Sequence, residues 1–509
     1  MVDFPKLKDG EIPDICYIAE GTYPYITGGV SSWTHDLIKT QSHLTFHIVC
    51  ILPPDADPVV KFDLPPNVVG ITNAFLQILP EKQTSLSQKE RTEIFTNIEM
   101  PLINMQHKPH LSELQKLLDI IDKYKEAMGK ELLLNSKEAW NLIVRMYNSS
   151  MGETSFSDYF WSWRGLFSGL FSILLADLPL AKVYHSSCTG YSGLYISRCF
   201  LKTDRPCMVT EHGIYTNERM IQLTASDWLH ELTFMNFAVD RKSYHRDLKD
   251  LWMDLFSGYA FLAYQACERI LTLYEGNIPL QVADGASLDK IQIIPNGVDI
   301  DTYGSVERKK EGVPVAGLIG RAVPIKDVKT FIKAANIIKK AVPESECWVL
   351  GPIDEDPIYY EECAELVAKN SLEETFKFIG KVNIKEYLSK MDIMVLTSIS
   401  EAQPLTILEA GAAGIPFVST NVGCCSEYAW GRSDEDPNLG EAGIICPLAN
   451  PQKVAEGIIK MMRDKNYYEE CGKVLKERII QFYSYESFVK NYKELYDEMV
   501  ELSIKNHGC

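Results

Sequence analysis

Two short segments in the second half of the chain place charged side chains where an anionic ligand could be held. The first, Gly320 to Lys326 (GRAVPIK), directly follows an apolar run and carries Arg321 and Lys326 five residues apart. Arginine can donate two parallel N–H bonds to a diphosphate, and lysine adds a point charge to one of its oxygens. In a chain with a formal net charge of −18, this pair predicts a diphosphate contact. A solvated surface pair is the alternative.

The second segment, EAQPLTILEA, carries Glu401 and Glu409 eight residues apart. We expect Glu401 on a loop, where it can accept hydrogen bonds from sugar hydroxyls, and Glu409 inside a helix, where it can accept both hydroxyls of a ribose. The N–H groups of Leu405 and Thr406 at the helix start would lie near a phosphate. The alternative is that both acids only favour the positive end of the helix dipole.

The first half of the chain offers two further candidates. Gly28 and Gly29 follow a predicted strand and precede a predicted helix, so a ligand could approach the backbone closely there, although a plain tight turn is the alternative. Glu211 and His212 (EHG) follow another predicted strand. His212 could act as a general base, donate to a substrate or be a core histidine, and His185 poses the same question.

Asp-x-Asp pairs could hold a divalent cation through two carboxylates. The chain has four of them, at 55–57, 299–301, 354–356 and 434–436. Each lies in a proline-rich or polar stretch, so we interpret all four as turns and predict no metal site. The sequence has neither a Walker A motif nor G-x-G-x-x-G, which argues against a P-loop ATPase and a typical dehydrogenase.

Alternating apolar runs and helical patterns predict the elements that position these residues. Strand Ile15–Ala19, helix Ser31–Lys39 with Ser31 or Ser32 as its N-cap, and strand His47–Leu52 form the opening of an α/β domain with a parallel sheet. Further strands of this domain are predicted at Ala181–His185, Pro206–Thr210, Arg269–Leu273 and Ile291–Ile294.

From about residue 80 to 171 the pattern is helical without strands, as in Leu111–Met128 and Ser136–Ser150, which predicts a helical insertion in the first domain. The uncharged apolar stretch Gly165–Ala176 is shorter than the roughly 20 residues of a membrane-spanning helix. We therefore predict a buried helix there and a chain that does not cross a membrane.

The polar stretch Gly304–Pro314 is predicted to be a linker, and a second series of alternating strands and helices follows it. Its strands are predicted at Val315–Ile319, Cys347–Leu350, Phe376–Ile379, Ile393–Leu396, Pro416–Ser419 and Ala442–Ile445, and its helices include Asp327–Lys340 and Tyr359–Lys369. The prediction is two doubly wound α/β domains, residues 1–305 and 313–481, facing a cleft at the carboxyl ends of their strands. A final helix within 482–509 is predicted to cross back to the first domain.

Composition excludes several classes of protein. With 509 residues, 46% apolar and 24% charged, the chain is a globular protein of two or three domains. Its acidity argues against a nucleic-acid binder. Thirteen cysteines without a CxxC pair predict reduced thiols in a cytosolic protein. The first residues contain no apolar run, so no signal peptide is expected.

Five motifs in fixed order resemble the retaining glycosyltransferases of the GT4 family, over nearly the whole chain. They are GGV (Gly28–Val30), EHG (Glu211–Gly213), IPNGVD (Ile294–Asp299), GR-x4-K (Gly320–Lys326) and E-x7-E (Glu401–Glu409). Within the family, AEGTYPYITGGVSSW and EHGIYTNER resemble the cytosolic enzymes of Pel exopolysaccharide biosynthesis. Gln403 and Pro404 depart from the commoner E-x-F-G pattern, which leaves the donor sugar open.

The resemblance implies the GT-B fold and a role for each matching position. Arg321 and Lys326 would neutralise the donor diphosphate and act in catalysis with His212 and Glu401, which contact the transferred sugar. Glu409 would hold the ribose. The other implied donor-binding residues are Gly28, Gly29, Glu211, Gly320, Lys381, Val382, Gln403, Pro404, Leu405 and Thr406, with Lys381 and Val382 beside the base.

The resemblance also implies a metal-independent, cofactor-free hexosyltransferase that uses a UDP-sugar and extends an exopolysaccharide of a biofilm. Glucose, N-acetylglucosamine and N-acetylgalactosamine remain open as the sugar. The implied location is the cytoplasm, with peripheral contact to the membrane and Pel synthase components as the implied partners. A non-hydrolysing nucleotide-sugar 2-epimerase and a catalytically silent nucleotide-sugar sensor are the alternatives.

Overall fold

A computed structural model describes residues 11–83, 85–107, 109–151, 154–225, 247–307 and 312–508. The chain divides into two compact units. The first comprises residues 1–272, 278–292 and 492–509, and the second comprises residues 273–277 and 293–491. The predicted linker, Gly304–Pro314, lies partly outside the described residues. So do residues 1–10, which belong to the segment where no signal peptide is expected.

The first unit is built on a seven-stranded sheet whose pairings between β1 and β6 are all parallel. The strand order β3-β2-β1-β4-β5-β6-β7 reverses beside β1, as in doubly wound folds. A strand covered on both faces needs a continuous apolar sequence, and Ile15–Ala19 is buried throughout. The strands are β1 Ile15–Glu20, β2 Phe46–Leu52, β3 Val68–Phe75, β4 Val183–Ser186, β5 Cys207–Glu211, β6 Arg269–Thr272 and β7 Ile291–Ile293.

Nine described helices accompany this sheet. They are α1 Gly29–Thr40, α2 Gln88–Asn104, α3 Leu111–Lys123, α4 Lys137–Ser150, α5 Phe156–Leu175, α6 Tyr191–Thr203, α7 Tyr215–Ala225, α8 Leu248–Ala266 and α9 Ile278–Ala283. The predicted N-cap of α1 is wrong. The helix begins two residues earlier, with Gly28 at the N-cap and no side-chain cap, because the Gly28 carbonyl already accepts the first helical hydrogen bond from Ser32.

The helices α2 to α5 lie between β3 and β4 in the chain, together with a π-helical turn at Glu131–Asn135. Trp163, Leu166, Phe167 and Leu170 of α5 are fully buried in the core cluster of the first unit. The uncharged stretch within α5 is therefore a core helix, as predicted. Among the described residues, none of the helices is long and apolar enough to span a membrane. The sequence analysis did not identify β3, in which only Val68 and Ala74 are buried.

The second unit has a six-stranded sheet with parallel pairings, in the order β10-β9-β8-β11-β12-β13. Its strands are β8 Val315–Ile319, β9 Glu346–Leu350, β10 Phe376–Gly380, β11 Ile393–Leu396, β12 Phe417–Thr420 and β13 Gly443–Cys446. Its helices are α10 Ile300–Gly304, α11 Val328–Ala341, α12 Pro357–Lys369, α13 Ile384–Leu388, α14 Leu405–Ala412, α15 Cys425–Trp430, α16 Pro451–Arg463 and α17 Lys465–Phe482. Both predicted parallel-sheet domains are thus confirmed.

The last helix, α18 Tyr485–His507, begins in the second unit, and its residues from Tyr492 onward belong to the first. Within the first unit, the Tyr496 hydroxyl lies 2.6 Å from His185 Nδ1, and the Tyr492 hydroxyl lies 3.2 Å from Thr210 Oγ1. These buried contacts fix the end of the chain to β4 and β5.

Candidate functional site

Lys326 and Glu401 lie at the carboxyl ends of β8 and β11, which are neighbours in the sheet of the second unit. Because parallel strands end at the same edge, the two loops that follow them meet there. Lys326 Nζ lies 2.5 Å from Glu401 Oε1, and both side chains are about four-fifths buried. The Ser398 hydroxyl donates to the same carboxylate oxygen at 2.7 Å. The structure therefore brings together a cation and a carboxylate that the sequence analysis assigned separately.

Arg321 lies apart from this ion pair. Its guanidinium donates to Glu355 at 2.7 Å, and both side chains are about half exposed. An exposed pair of this kind contributes little free energy, so the guanidinium can exchange Glu355 for a ligand at small cost. The diphosphate contact of Arg321 stays a prediction.

The glycine at position 320 begins this loop, and Gly351 packs against it. The N–H group of Gly320 donates to the Leu350 carbonyl at 2.9 Å. A Cβ on Gly351, whose φ is +155°, would lie 2.2 Å from the Gly320 oxygen. Gly351 thus sets the course of the Gly320 loop, although the sequence analysis did not single it out.

Gln403 and Pro404 connect Glu401 to helix α14. Gln403 is buried, and its Oε1 accepts a 2.7 Å hydrogen bond from the Asn296 N–H of the IPNGVD segment. Its Nε2 is enclosed and has no hydrogen-bond partner among the described residues. Pro404 is the N-cap residue of α14, followed by exposed Leu405 and half-buried Thr406. The amide group of Gln403 therefore holds the IPNGVD segment beside the Glu401 loop.

Glu409 lies one turn inside α14, as the spacing predicted. Its Oε1 accepts a 3.0 Å hydrogen bond from the Tyr303 hydroxyl. Burial raises the pKa of the Glu409 carboxyl above its ordinary value, and the hydrogen bond from Tyr303 partly offsets this. A half-buried carboxyl group with one neutral donor has acceptor capacity left for ligand hydroxyls.

The turn that carries Glu401 rests on Gly423. This glycine has φ +52°, and a Cβ there would lie 2.1 Å from the Ala402 oxygen. The N–H group of Cys424 donates to the same oxygen at 2.9 Å. Lys381 and Val382 follow β10 on the same edge, with Lys381 exposed and Val382 packed against the core of the second unit.

In the first unit, Gly28 and Gly29 are exposed at the start of α1, and a Cβ on either would meet no atom within 4 Å. The φ of Gly28 is 168°, an extended conformation open to any residue. Neither backbone conformation nor packing requires glycine at position 28, so access for a ligand remains the function predicted for it.

His212 follows β5, and its half-buried ring stands edge-on to Trp33 of α1, with 4.4 Å between the ring centroids. Burial lowers the pKa of His212 to about 4, so the ring is neutral near pH 7. Its Nε2 is enclosed and has no hydrogen-bond partner among the described residues. A neutral imidazole with an unused nitrogen can donate to or accept from a substrate hydroxyl.

His185 and Glu211 are core groups. Both nitrogens of His185 lie within 2.8 Å of a hydroxyl, those of Tyr496 and Thr210. Burial lowers the pKa of His185 to about 3. The carboxyl group of Glu211 is fully buried and accepts hydrogen bonds from Tyr264, Gln281 and Thr189 at 2.5, 2.9 and 3.0 Å, while burial raises its pKa. This arrangement suits Glu211 to fixing the end of β5 rather than to contacting a nucleotide-sugar donor.

Comparison with known proteins identifies the family. Residues 13–289, more than half of the chain, match the family model described as "Domain of unknown function (DUF3492)". The chain belongs to the DUF3492 family. Residues 299–478 match the model "Glycosyl transferases group 1", so the second unit carries a glycosyltransferase domain.

Curated relatives match parts of this DUF3492 protein. N-acetyl-alpha-D-glucosaminyl L-malate synthase of Bacillus anthracis is 28% identical over 27% of the chain and 34% of the relative. The alpha-1,3-galactosyltransferase of Escherichia coli that is named for GlcNAc-diphosphoundecaprenol is 25% identical over 62% of the chain and 74% of the relative. The chain thus spans about a third of the first relative's length and three quarters of the second's.

Solved structures show that this DUF3492 protein has the GT-B fold. Anabaena Alr3699/HepE in complex with UDP matches with a TM-score of 0.57 at 14% identity, over 96% of this chain and all of that one. Sucrose-phosphate synthase from Thermosynechococcus elongatus matches with a TM-score of 0.55 at 14% identity, over the same shares. The fold predicted from the motifs is confirmed.

Two of the Asp-x-Asp pairs that were predicted to be turns lie instead at helix starts, where Asp299 and Asp356 are N-cap residues. Asp299 and Asp356 accept from the first turns of α10 and α12, and Asp434 pairs with Arg432. Among the described residues, no group of three or more His, Cys, Asp or Glu side chains is placed to hold a metal ion. The twelve described cysteines form no disulfides.

Several contributors to the site escaped the sequence analysis. Gly351 and Gly423 act through tight approaches to another loop, and Tyr303 and Ser398 act through one hydrogen bond each to a predicted carboxylate. A glycine one to four residues beyond the last residue of a predicted strand was the available signal for the first two. Nothing local to Tyr303 indicates its contact with a residue 106 positions away.

Proposed function

We propose that this protein is a retaining glycosyltransferase that moves a hexosyl or N-acetylhexosaminyl unit from a UDP-sugar to a growing exopolysaccharide, in the manner of PelF. The observation that carries the proposal is the Lys326–Glu401 pair at the carboxyl edge of the second unit, with Glu401 on the loop that leads into the helix of Glu409. The group 1 glycosyltransferase match over this unit supports it.

The proposed donor is a UDP-sugar. The HepE structures that share the fold are complexes with UDP and UDP-glucose, and the carboxyl group of Glu409 suits the two hydroxyls of a ribose. Lys326 would turn from Glu401 to the donor diphosphate, which frees Glu401 to accept hydrogen bonds from the sugar. Arg321 would exchange Glu355 for the same diphosphate.

The chemical step follows from charge. Cleavage of the anomeric C–O bond leaves positive charge on the sugar and additional negative charge on the nucleotide diphosphate. Cations already aimed at the diphosphate lower this barrier, because little reorganisation is needed as the charge develops. We propose that Lys326 and Arg321 supply this stabilisation, so that activity survives EDTA. His212, neutral at pH 7, would contact the transferred sugar.

For the acceptor, we propose a class of molecules rather than one compound. The names of the relatives specify L-malate, inositol 3-phosphate and diphosphoundecaprenol-linked sugars, and all of these carry an anionic group. We propose a carbohydrate acceptor that belongs to exopolysaccharide synthesis, with assembly at the cytoplasmic face of the membrane beside Pel synthase components.

The test uses a panel of UDP-glucose, UDP-N-acetylglucosamine, UDP-N-acetylgalactosamine and the matching GDP-sugars. For each compound the change in Tm of the protein and the release of the nucleotide are measured. A ligand at 100 times its Kd adds about 2.7 kcal/mol of stability, so the donor should stand out. Release of UDP with an α-configured product in EDTA supports the proposal. A free epimerised sugar nucleotide, or binding without turnover of any donor, contradicts it.

A further inference from the structure

Arg219 of helix α7 lies over the carboxyl edge of the sheet in the first unit, and no role has yet been assigned to it. Its Nη2 lies 3.8 Å from Oε1 of Glu20, the last residue of β1. Helix α7 follows β5 through the segment that begins with His212. The guanidinium and His212 are therefore carried by the same strand end.

Aromatic rings hold the guanidinium from its faces. Its central carbon lies 4.8 Å from the ring centroid of Tyr215 and 5.7 Å from that of Phe256. Cation–π contacts of this kind restrict the guanidinium while leaving N–H groups available to a ligand. A rigid fork with free edges is suited to a planar or tetrahedral oxyanion.

The neighbouring carboxylate of Glu20 forms an ion pair with Arg219 but accepts its hydrogen bonds from other groups. Glu20 already accepts hydrogen bonds from the Tyr215 hydroxyl and the Ser192 N–H, both at 2.9 Å. Its distance to Arg219 exceeds that of a hydrogen bond. The described contacts of the guanidinium include one hydrogen bond, to Gln222 Oε1 at 2.8 Å, out of five N–H donors. More than a third of the side chain is exposed.

A structural arginine in the same protein looks different. Arg478 is fully buried and donates through Nε and Nη2 to both oxygens of Glu435 at 2.7 Å. Its charge is fully matched, as burial demands. Arg219 has neither the burial nor the bidentate partner.

We propose that Arg219 binds an oxyanion of the acceptor, a phosphate, diphosphate or carboxylate group, at the carboxyl edge of the first unit. The assignment to the acceptor rests on the proposed function, because the groups proposed for the donor diphosphate, Lys326 and Arg321, belong to the second unit. The substrate class is thus an acidic carbohydrate or a carbohydrate on a phosphorylated carrier, rather than a neutral sugar.

Binding is measured first, by calorimetric titration of the full-length protein, saturated with UDP, with glucose 6-phosphate, glucuronate and glucose. Saturation with UDP covers the predicted diphosphate site, and a repeat without UDP shows whether the anion site depends on it. Glucose 6-phosphate and glucuronate separate phosphate from carboxylate recognition. The variants are Arg219→Gln, Arg219→Lys and, as a matched control, Arg269→Gln. Arg269 has a similar exposure and pairs with Glu498, but it begins β6 and so lies at the opposite edge of the same sheet.

The proposal expects the wild type to bind at least one acidic sugar about 10-fold or more tightly than glucose, as one charge-assisted contact provides. Arg219→Gln should remove that preference, Arg219→Lys should keep part of it, and Arg269→Gln should leave it within about 2-fold. Equal binding of acidic and neutral sugars by the wild type, or an equal loss in Arg219→Gln and Arg269→Gln, overturns the proposal.

The same variants separate this proposal from the proposed function. With a UDP-sugar and either an acidic or a neutral acceptor, Arg219→Gln should raise KM for the acidic acceptor more than KM for the neutral one. If no nucleotide sugar binds or reacts but acidic sugars still bind through Arg219, the proposed transfer fails and the anion site stands. If transfer proceeds and Arg219→Gln leaves the KM of acidic acceptors unchanged, the anion site fails alone.

Discussion

At the scale of single residues, the ion pair of Lys326 with Glu401 has a consequence for ligand binding. The ammonium group of Lys326 lies 2.5 Å from the carboxylate of Glu401, and both are largely shielded from water. Each group therefore neutralises the charge that the other would offer to a ligand. A donor diphosphate must compete with Glu401 for Lys326, and the carboxylate then becomes free for a sugar hydroxyl. The pair therefore couples binding of the diphosphate to binding of the sugar.

Lys326→Ala should lower the turnover of UDP-sugar by about 100-fold or more, because a cation that stabilises the developing diphosphate charge is lost. Steady-state rates with circular dichroism as a folding check measure this. Lys329→Ala is the matched control, since Lys329 lies three residues further on and pairs with exposed Glu362. Turnover near that of the wild type in a folded Lys326→Ala protein would remove Lys326 from the diphosphate site.

Glu409→Gln should stabilise the protein near pH 7 while weakening UDP binding. The pKa of Glu409 is raised in the folded protein from 4.5, so the folded state retains a proton that the unfolded chain releases as the pH rises through 4.5. Stability is then lost with rising pH, and glutamine removes that loss. Each ~1 kcal/mol gained should raise Tm by about 2–4 °C.

The measurement is Tm for wild type and Glu409→Gln between pH 4 and 8, beside Kd for UDP. The advantage of the variant should grow from about pH 4.5 upward, and Kd should rise about 10-fold. Glu470→Gln is the control, because the side chain of Glu470 is exposed on α17. A variant that loses stability at pH 7 and binds UDP as the wild type does would contradict both parts.

At the scale of elements, the site depends on loops supported by neighbouring loops. The Glu401 turn rests on Gly423, the Gly320 loop on Gly351, and the IPNGVD segment on Gln403. These supports come from segments distant in the chain. A change at a support should therefore displace a functional loop without touching a ligand.

Gly423→Ala tests this support. The positive φ and the approach to Ala402 should cost about 1–3 kcal/mol of unfolding free energy, and the displaced Glu401 should lower turnover. Gly28→Ala is the contrasting variant, since its extended backbone and open surroundings predict a change within about 0.5 kcal/mol. Chemical denaturation and initial rates measure both. Loss of stability in Gly28→Ala together with full stability in Gly423→Ala would contradict the role of Gly423 as a support for the Glu401 turn.

At the scale of the whole molecule, the two units should divide the work. The groups proposed for the nucleotide lie in the second unit, whereas His212 and Gly29 lie in the first. His212→Ala should lower transfer about 100-fold while Kd for UDP changes less than about 3-fold, because an interaction specific to the reacting sugar is lost. Glu409→Ala should raise Kd for UDP about 10-fold. Fluorescence titration with UDP and initial rates distinguish these outcomes, and weakened UDP binding in His212→Ala would contradict the division.

The sequence by itself determined the elements and their class. Short apolar strands separated by helical patterns predicted two parallel sheets, and the positions of Lys326, Glu401 and Glu409 on loop and helix follow from spacing alone. These features depend on residues close together in the chain, so local periodicity contains them. The GT-B fold came from the resemblance of the five ordered motifs to the GT4 family.

Only the tertiary structure decided which groups meet and which are enclosed. It paired Lys326 with Glu401 and Arg321 with Glu355. It also enclosed Glu211 and His185 among hydrogen-bonding side chains of α8, α9 and α18. It also placed the guanidinium of Arg219 3.8 Å from the carboxylate of Glu20, which accepts hydrogen bonds from Tyr215 and Ser192. Such outcomes depend on contacts between distant segments, and the free energy of a charged group is set by the partners and burial found there.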